Sequence, residues 1–148
     1  MSDATSPGEL LLMGASRLNR LQIERLGELR VPLTLRQYRI LERIDEGHTS
    51  VSDLSRLAHR SVPTVSESVD GLIKRGLLVR AGSPADRRAV VLSLTPAGTR
   101  ARKAAERCLA DLAASVFDSL SASKQKVLGE LARKMYDVSG SAMWGPDA

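Results

Sequence analysis

The sequence predicts a mainly α-helical chain carrying one small β-hairpin. Three observations point there: apolar residues recur at helical spacing, serine and threonine caps punctuate them at short intervals, and one pair of β-rich runs brackets a turn of glycine, proline and charge. A chain of 148 residues can bury roughly two thirds of its unfolded surface, so a core forms without disulfide or metal staples. A multidomain enzyme does not fit this length.

Ser6-Pro7-Gly8-Glu9 opens the first helix, with a serine to accept an orphan amide, a proline suited to the first helical position and a glutamate that reaches back. Leu11, Ala15, Leu18, Leu21, Leu26 and Leu29 then keep to one side, and Arg30-Val31-Pro32 stops the helix. Thr34-Leu35-Arg36-Gln37 repeats the capping logic for a second helix that turns Tyr38, Leu41 and Ile44 inward and ends at Gly47. Ser50-Val51-Ser52-Asp53 opens a short third helix with Val51, Leu54, Leu57 and Ala58 on its buried stripe, reaching only to about His59. The fourth starts near Ser61, with Ser61 as its cap, tolerates Pro63 in its first turn and runs through Val65, Val69, Leu72 and Ile73 to Gly76.

Two short helices joined by three or four residues make a helix-turn-helix, whose second member presents its N-terminal half outward. Leu77 to Arg80 and Ala89 to Leu94 form the hairpin, whose tip, Gly82 to Arg88, is basic. Thr95-Pro96 caps a long helix with Ala97, Ala101, Ala105, Cys108, Leu109, Leu112, Val116 and Leu120 inward. A last helix follows Ser121 or Ser123, carrying Val127, Leu128, Leu131 and Met135, and residues 139–148 are expected to be loose.

Charge is unevenly spread. The chain carries +5 overall, but Lys74 to Arg107 holds nine cations against Asp86 and Glu106, a local +7 that leaves −2 for the rest. Such a concentration is the footprint of a phosphate-backbone binder. With one cysteine, no basic stretch before Leu10-Leu11-Leu12-Met13 and no spanning run, the chain reads as cytoplasmic and without a membrane partner. No HExxH, GxSxG or Gly-rich phosphate loop is present, so no enzyme is expected. His48 beside Asp45 and Glu46 reads as a helix-end residue rather than a metal ligand, and no cofactor is called for.

This element order resembles the MarR family of winged helix-turn-helix transcriptional regulators over nearly the whole chain. The sharpest match is Asp86-Arg87-Arg88-Ala89-Val90-Val91-Leu92-Ser93-Leu94-Thr95-Pro96-Ala97-Gly98, which is similar to the family's wing signature of an aspartate, any residue, an arginine, an apolar strand, Leu-Thr and a glycine-bearing helix start. Upstream, Asp53-Leu54, Val65, Val69-Asp70, Leu72 and Gly76-Leu77 fall without a gap on the family's helix-turn-helix core. The resemblance implies a single domain, with 33–94 a winged helix-turn-helix, 6–31 and 95–139 dimerisation helices, and 140–148 a loose tail. It implies a homodimeric repressor on an inverted-repeat operator in double-stranded DNA, released by a small aromatic or phenolic acid. An effector lowers DNA affinity only by preferring a dimer whose recognition helices are wrongly spaced for the two half-sites.

On this resemblance the DNA-contacting residues are Ser61, Pro63, Thr64, Ser66, Glu67, Arg75, Asp86, Arg87 and Arg88. Arg88 suits a narrow minor groove, where phosphate potential is most negative; Asp86 can hold its guanidinium, leaving Arg87 for phosphate. Ser61, Thr64 and Ser66 are short donors for phosphates or base edges. Glu67 and Gly71 depart from the family's basic or longer polar residues; a glutamate accepts from cytosine N4 but repels phosphate. His59 stands where the turn usually has glycine, and histidine tolerates positive φ better than most residues. Effector contacts fall on Arg17, Tyr38 and Arg39, with Tyr38 equally readable as a core residue with a satisfied hydroxyl. Two alternatives stay open: a winged-helix module that binds protein, and a redox sensor acting through Cys108.

Overall fold

A computed structural model of the chain describes residues 6–82 and 90–144. The elements are α1 (Pro7–Gly27), α2 (Leu35–Asp45), α3 (Val51–Ala58), α4 (Val62–Lys74), β1 (Leu78–Gly82), β2 (Val90–Leu94), α5 (Pro96–Phe117) and α6 (Ala122–Trp144). This is the winged helix-turn-helix order with a long helix before it and two after it.

Local chemistry sets the helix starts. The Ser6 and Thr34 hydroxyls accept the amides of Glu9 and Gln37, and the Glu9 and Gln37 side chains accept the cap amides in return. These are two closed capping boxes, each worth about 1 kcal/mol or more of helix stability. Glu9 has its pKa lowered by its bonds to Ser6. Gly47 and Gly76, the predicted terminators after α2 and α4, have φ of +100° and +68°.

Residues up to Ala110 form one compact unit, and Asp111 onward a second. The core of the first is built from Leu26 and Leu33, from Tyr38, Ile40, Leu41 and Ile44 of α2, from Leu54 of α3, from Val65, Val69 and Leu72 of α4, from Leu77, Leu78 and Leu92, and from Ala101 and Ala105 of α5. Val65, Val69 and Leu72 recur at four and three residues, so one face of α4 is buried while the opposite face stays free. At about 1.5–3 kcal/mol each, these three side chains fix the orientation of α4.

The hairpin pairs antiparallel, with Leu78 opposite Leu94 and Gly82 opposite Val90. The Leu92 amide also donates to the carbonyl of Thr49, at 2.8 Å, so the α2–α3 loop borders β2. At the root of the hairpin, Thr95 donates its amide to Leu77 O and its hydroxyl to Gly76 O, and its hydroxyl accepts the Gly98 amide.

Several sequence expectations are corrected. α1 stops at Gly27, before Arg30-Val31-Pro32, and α5 at Phe117, before Leu120. α6 continues to Trp144, past Ser139, because serine and glycine there weaken a helix without blocking it. Val116 of α5, expected inward, is exposed; the apolar stripes of α1 and α6 are likewise open along much of their length, with Leu11, Leu21, Val127, Leu131 and Met135 exposed. Periodicity identifies an apolar face without supplying its cover. In the second unit, Gln125 closes the end of α5 by donating to Phe117 O and Leu120 O.

Gly98 is required by close packing. A Cβ on it would stand 2.0 Å from Leu77 O, a backbone atom that cannot swing aside. Gly98→Ala gains about 0.5–1 kcal/mol of helix propensity but incurs about 1–3 kcal/mol of overpacking, so a net loss near 1 kcal/mol or more is expected as a lower midpoint in urea denaturation.

Candidate nucleic-acid interface

The turn between α3 and α4 is made by His59, whose φ of 47° and ψ of 48° put it in the left-handed region, as expected of a residue replacing glycine. Its amide donates to Ser55 and Arg56 carbonyls, and Arg60 N donates to Ser55 O. Arg43 of α2 reaches across to Leu57 O at 3.0 Å, holding the end of α3 from behind. At the other end of α3, Ser50 caps Asp53, whose carboxylate holds His48 Nδ1 at 2.7 Å and pairs with Arg56. The bonds from His48 and Arg56 lower the Asp53 pKa.

This frame presents the first turns of α4. Ser61, Val62, Pro63 and Glu67 are exposed, and Thr64 and Ser66 half-buried. Ser61 occupies the cap position, but its hydroxyl pairs with Thr64 Oγ1 at 2.8 Å and makes no bond to a backbone amide. The expected cap is thus replaced by a hydroxyl pair, leaving the amides of the first turn for an outside acceptor. Val62, half exposed, and Arg60, exposed in the turn, belong to the same surface and escaped the sequence reading. Their signal was position alone, immediately before and inside the first turn. Exposed valine suits a thymine methyl.

Arg75 stands apart from this cluster, at the opposite end of α4 and roughly 20 Å from Ser61 at 1.5 Å per residue. Its guanidinium donates to Pro32 O at 2.5 Å and to Gln37 Oε1 at 3.2 Å, an intramolecular tie that the charge pattern could not reveal. Arg80 on β1 pairs with Asp70 on α4 at 2.8 Å and braces the hairpin against α4. The expected wing-tip contacts Asp86, Arg87 and Arg88 lie outside the described residues.

Residues 31–89 match the model of the MarR family. No curated protein matches the chain in sequence. Among solved structures, Streptococcus pneumoniae FabT in complex with DNA is similar with a TM-score of 0.80 and 20% identity, covering 91% of this chain and 96% of that one. A probable transcriptional regulator from Pseudomonas aeruginosa is 27% identical with a TM-score of 0.68, over 88% and 96%. A mutant MarR from E. coli complexed with operator DNA is 24% identical with a TM-score of 0.68, over 86% and 91%. The MarR-type fold therefore extends over most of the chain.

The matched segment contains two of the three expected effector residues, Tyr38 and Arg39, and both have partners. The Tyr38 hydroxyl donates to Glu42 Oε1 at 2.9 Å from a buried ring, and Arg39 donates to Glu42 Oε2 at 2.7 Å while lying 5.6 Å from the Tyr38 ring centroid. The Tyr38 ring is part of the core and its hydroxyl is satisfied. Arg17 is exposed on α1 and shares none of these bonds. Further along, Arg102 joins Asp45 of α2, at 3.2 Å, to Glu106 of its own helix, at 3.0 Å. Cys108 is half-buried, with its thiol 3.7 Å from Arg25 O. Among the described residues no helix is long and apolar enough to cross a membrane.

Burial and the Glu42 carboxylate push the Tyr38 pKa up to about 12. A phenol protonated more tightly in the folded state than in the unfolded one, whose pKa is about 10, adds stability below pH 10 and loses it as pH rises to 12. Tyr38→Phe should flatten the fall in urea midpoint between pH 10 and 12.

Proposed function

We propose that this chain is a sequence-specific, double-stranded DNA-binding transcriptional regulator of the cytoplasm, acting as a homodimeric repressor on an inverted repeat and released by a small aromatic or phenolic acid. The observation that carries the reading is the outward N-terminal half of α4, with Ser61, Pro63, Thr64, Ser66 and Glu67 on a helix-turn-helix braced by a hairpin. FabT and the MarR mutant, which share the fold, carry DNA in their structures. In this reading each α4 enters a major groove and each hairpin reaches the neighbouring minor groove. Arg88 enters that groove, Asp86 orients it, and Arg87 meets phosphate.

The homodimer is supported by apolar surface without cover. Leu10, Leu11, Leu12 and Met13 form one exposed run on α1, and Val127, Leu131 and Met135 a second on α6. Contiguous patches of this kind mark interaction sites. Light scattering should give about 32 kDa, twice the 16.0 kDa chain. Leu12→Glu, which places a charge on a side chain 69% exposed, should shift the mass toward the monomer without unfolding the winged unit. A wild-type mass of one chain would remove the homodimer.

Selection of bound sequences from randomised duplexes tests the DNA reading. Recovery of an inverted repeat, with affinity falling steeply as salt rises, is expected. On the selected duplex Arg88→Ala should lose about 1–3 kcal/mol, while Glu67→Ala should change base preference more than overall strength. Weak, sequence-blind binding would instead favour a module that holds protein.

A further inference from the structure

Neither backbone conformation nor packing within the chain accounts for Gly71. It is the one glycine inside α3 or α4, and glycine in a helix interior is less stable than alanine. Gly47 and Gly76 are required by their positive φ, and Gly98 by its closeness to Leu77 O. Gly71 has neither reason. Its φ is not positive, its carbonyl accepts the Arg75 amide as any helical carbonyl would, and a Cβ on it would meet no described atom of another element within 4 Å.

Pro63, Glu67, Gly71 and Arg75 recur at four residues and so follow one another along one side of α4. Pro63 is a compact ring, Gly71 has no side chain, and the Arg75 guanidinium is turned to Pro32 O and Gln37 Oε1. Glu67 is therefore the one long side chain of this row that is not tied elsewhere, and among the described residues no cation pairs with it. The other acid of α4, Asp70, is held by Arg80 at 2.8 Å. An exposed, uncompensated carboxylate thus stands between two places where the helix surface is low.

In a major groove such a carboxylate needs a donor. Phosphates repel it, and guanine and thymine present acceptors. The adenine N6 amine lies between two acceptors, its own N7 and O4 of the paired thymine, whereas the cytosine N4 amine has an acceptor on one side only. Cytosine therefore satisfies the carboxylate best. Glutamate is shorter than arginine or lysine and reaches a base edge only from a helix lying close, which a residue without Cβ one turn away permits.

We infer that Gly71 is a specificity-determining position acting through Glu67: its bare backbone lets α4 sit deep enough for the Glu67 carboxylate to accept the N4 amine of a cytosine in each half-site. The inference rests on the proposed DNA reading and deepens it by naming the base and the residue that sets the depth.

The test is binding of the full chain to the duplex selected from a randomised pool, beside copies in which each C·G pair of the half-site is replaced in turn by T·A. One replacement should weaken the parent by about tenfold or more and leave Glu67→Ala unmoved. Gly71→Ala should raise the urea midpoint, since alanine is the better helix former and meets no obstacle, yet weaken binding by about fivefold or more and remove the preference at the same pair. Added to Glu67→Ala, it should change binding by about twofold at most. A lower urea midpoint for Gly71→Ala, or parent-like affinity with the cytosine preference intact, overturns the role of Gly71. Sequence-blind binding by the parent overturns the DNA reading and this inference with it; a selective operator without a C·G pair whose effect depends on Glu67 overturns this inference alone.

Discussion

The junction at Thr95 is the constraint on which the winged unit depends. When α4 ends, the chain turns through Gly76 into β1, and the carbonyls of Gly76 and Leu77 would be left over if nothing met them. Thr95 meets both, one with its hydroxyl and one with its amide, and then uses the same hydroxyl to accept the Gly98 amide at the start of α5. One residue thereby fixes where α4 exits, where the hairpin closes and where α5 begins. The price of that economy is space, since α5 must run so close to Leu77 that its first turn has no room for a Cβ at residue 98.

Around this junction, charged side chains brace backbone more than they decorate the surface. Arg43 reaches Leu57 O, Arg75 reaches Pro32 O, and Arg80 takes Asp70. Each connects α2, the α1–α2 segment or β1 to one helix of the helix-turn-helix. Exposed ion pairs add little to stability one at a time, but ties to backbone carbonyls restrict the angle at which a helix is held. Holding α4 and its neighbours is a matter of angle, so the arginines matter more for geometry than for folding energy.

The fold was legible in the sequence wherever the cause is local. Ser6-x-x-Glu9 and Thr34-x-x-Gln37 close their capping boxes within four residues, and Gly47, His59 and Gly76 end their elements by backbone conformation alone. Ser61 departs from the expected cap for an equally local reason: its third neighbour is Thr64, whose hydroxyl competes for the bond that a glutamate would have left to the backbone. What could not be read joins distant parts of the chain. Arg75 counts as free positive charge until Pro32, 43 residues away, is brought beside it. The stripes of α1 and α6 are legible as apolar faces, but spacing alone does not say what covers them.

The leucines of α1 also bear on how the chain behaves in water. Leu10 to Met13 stay open in the folded chain, so a helix that folds correctly still keeps an adhesive side. Correct folding and freedom from self-association are therefore separate properties here, and crowding acts on the second without disturbing the first.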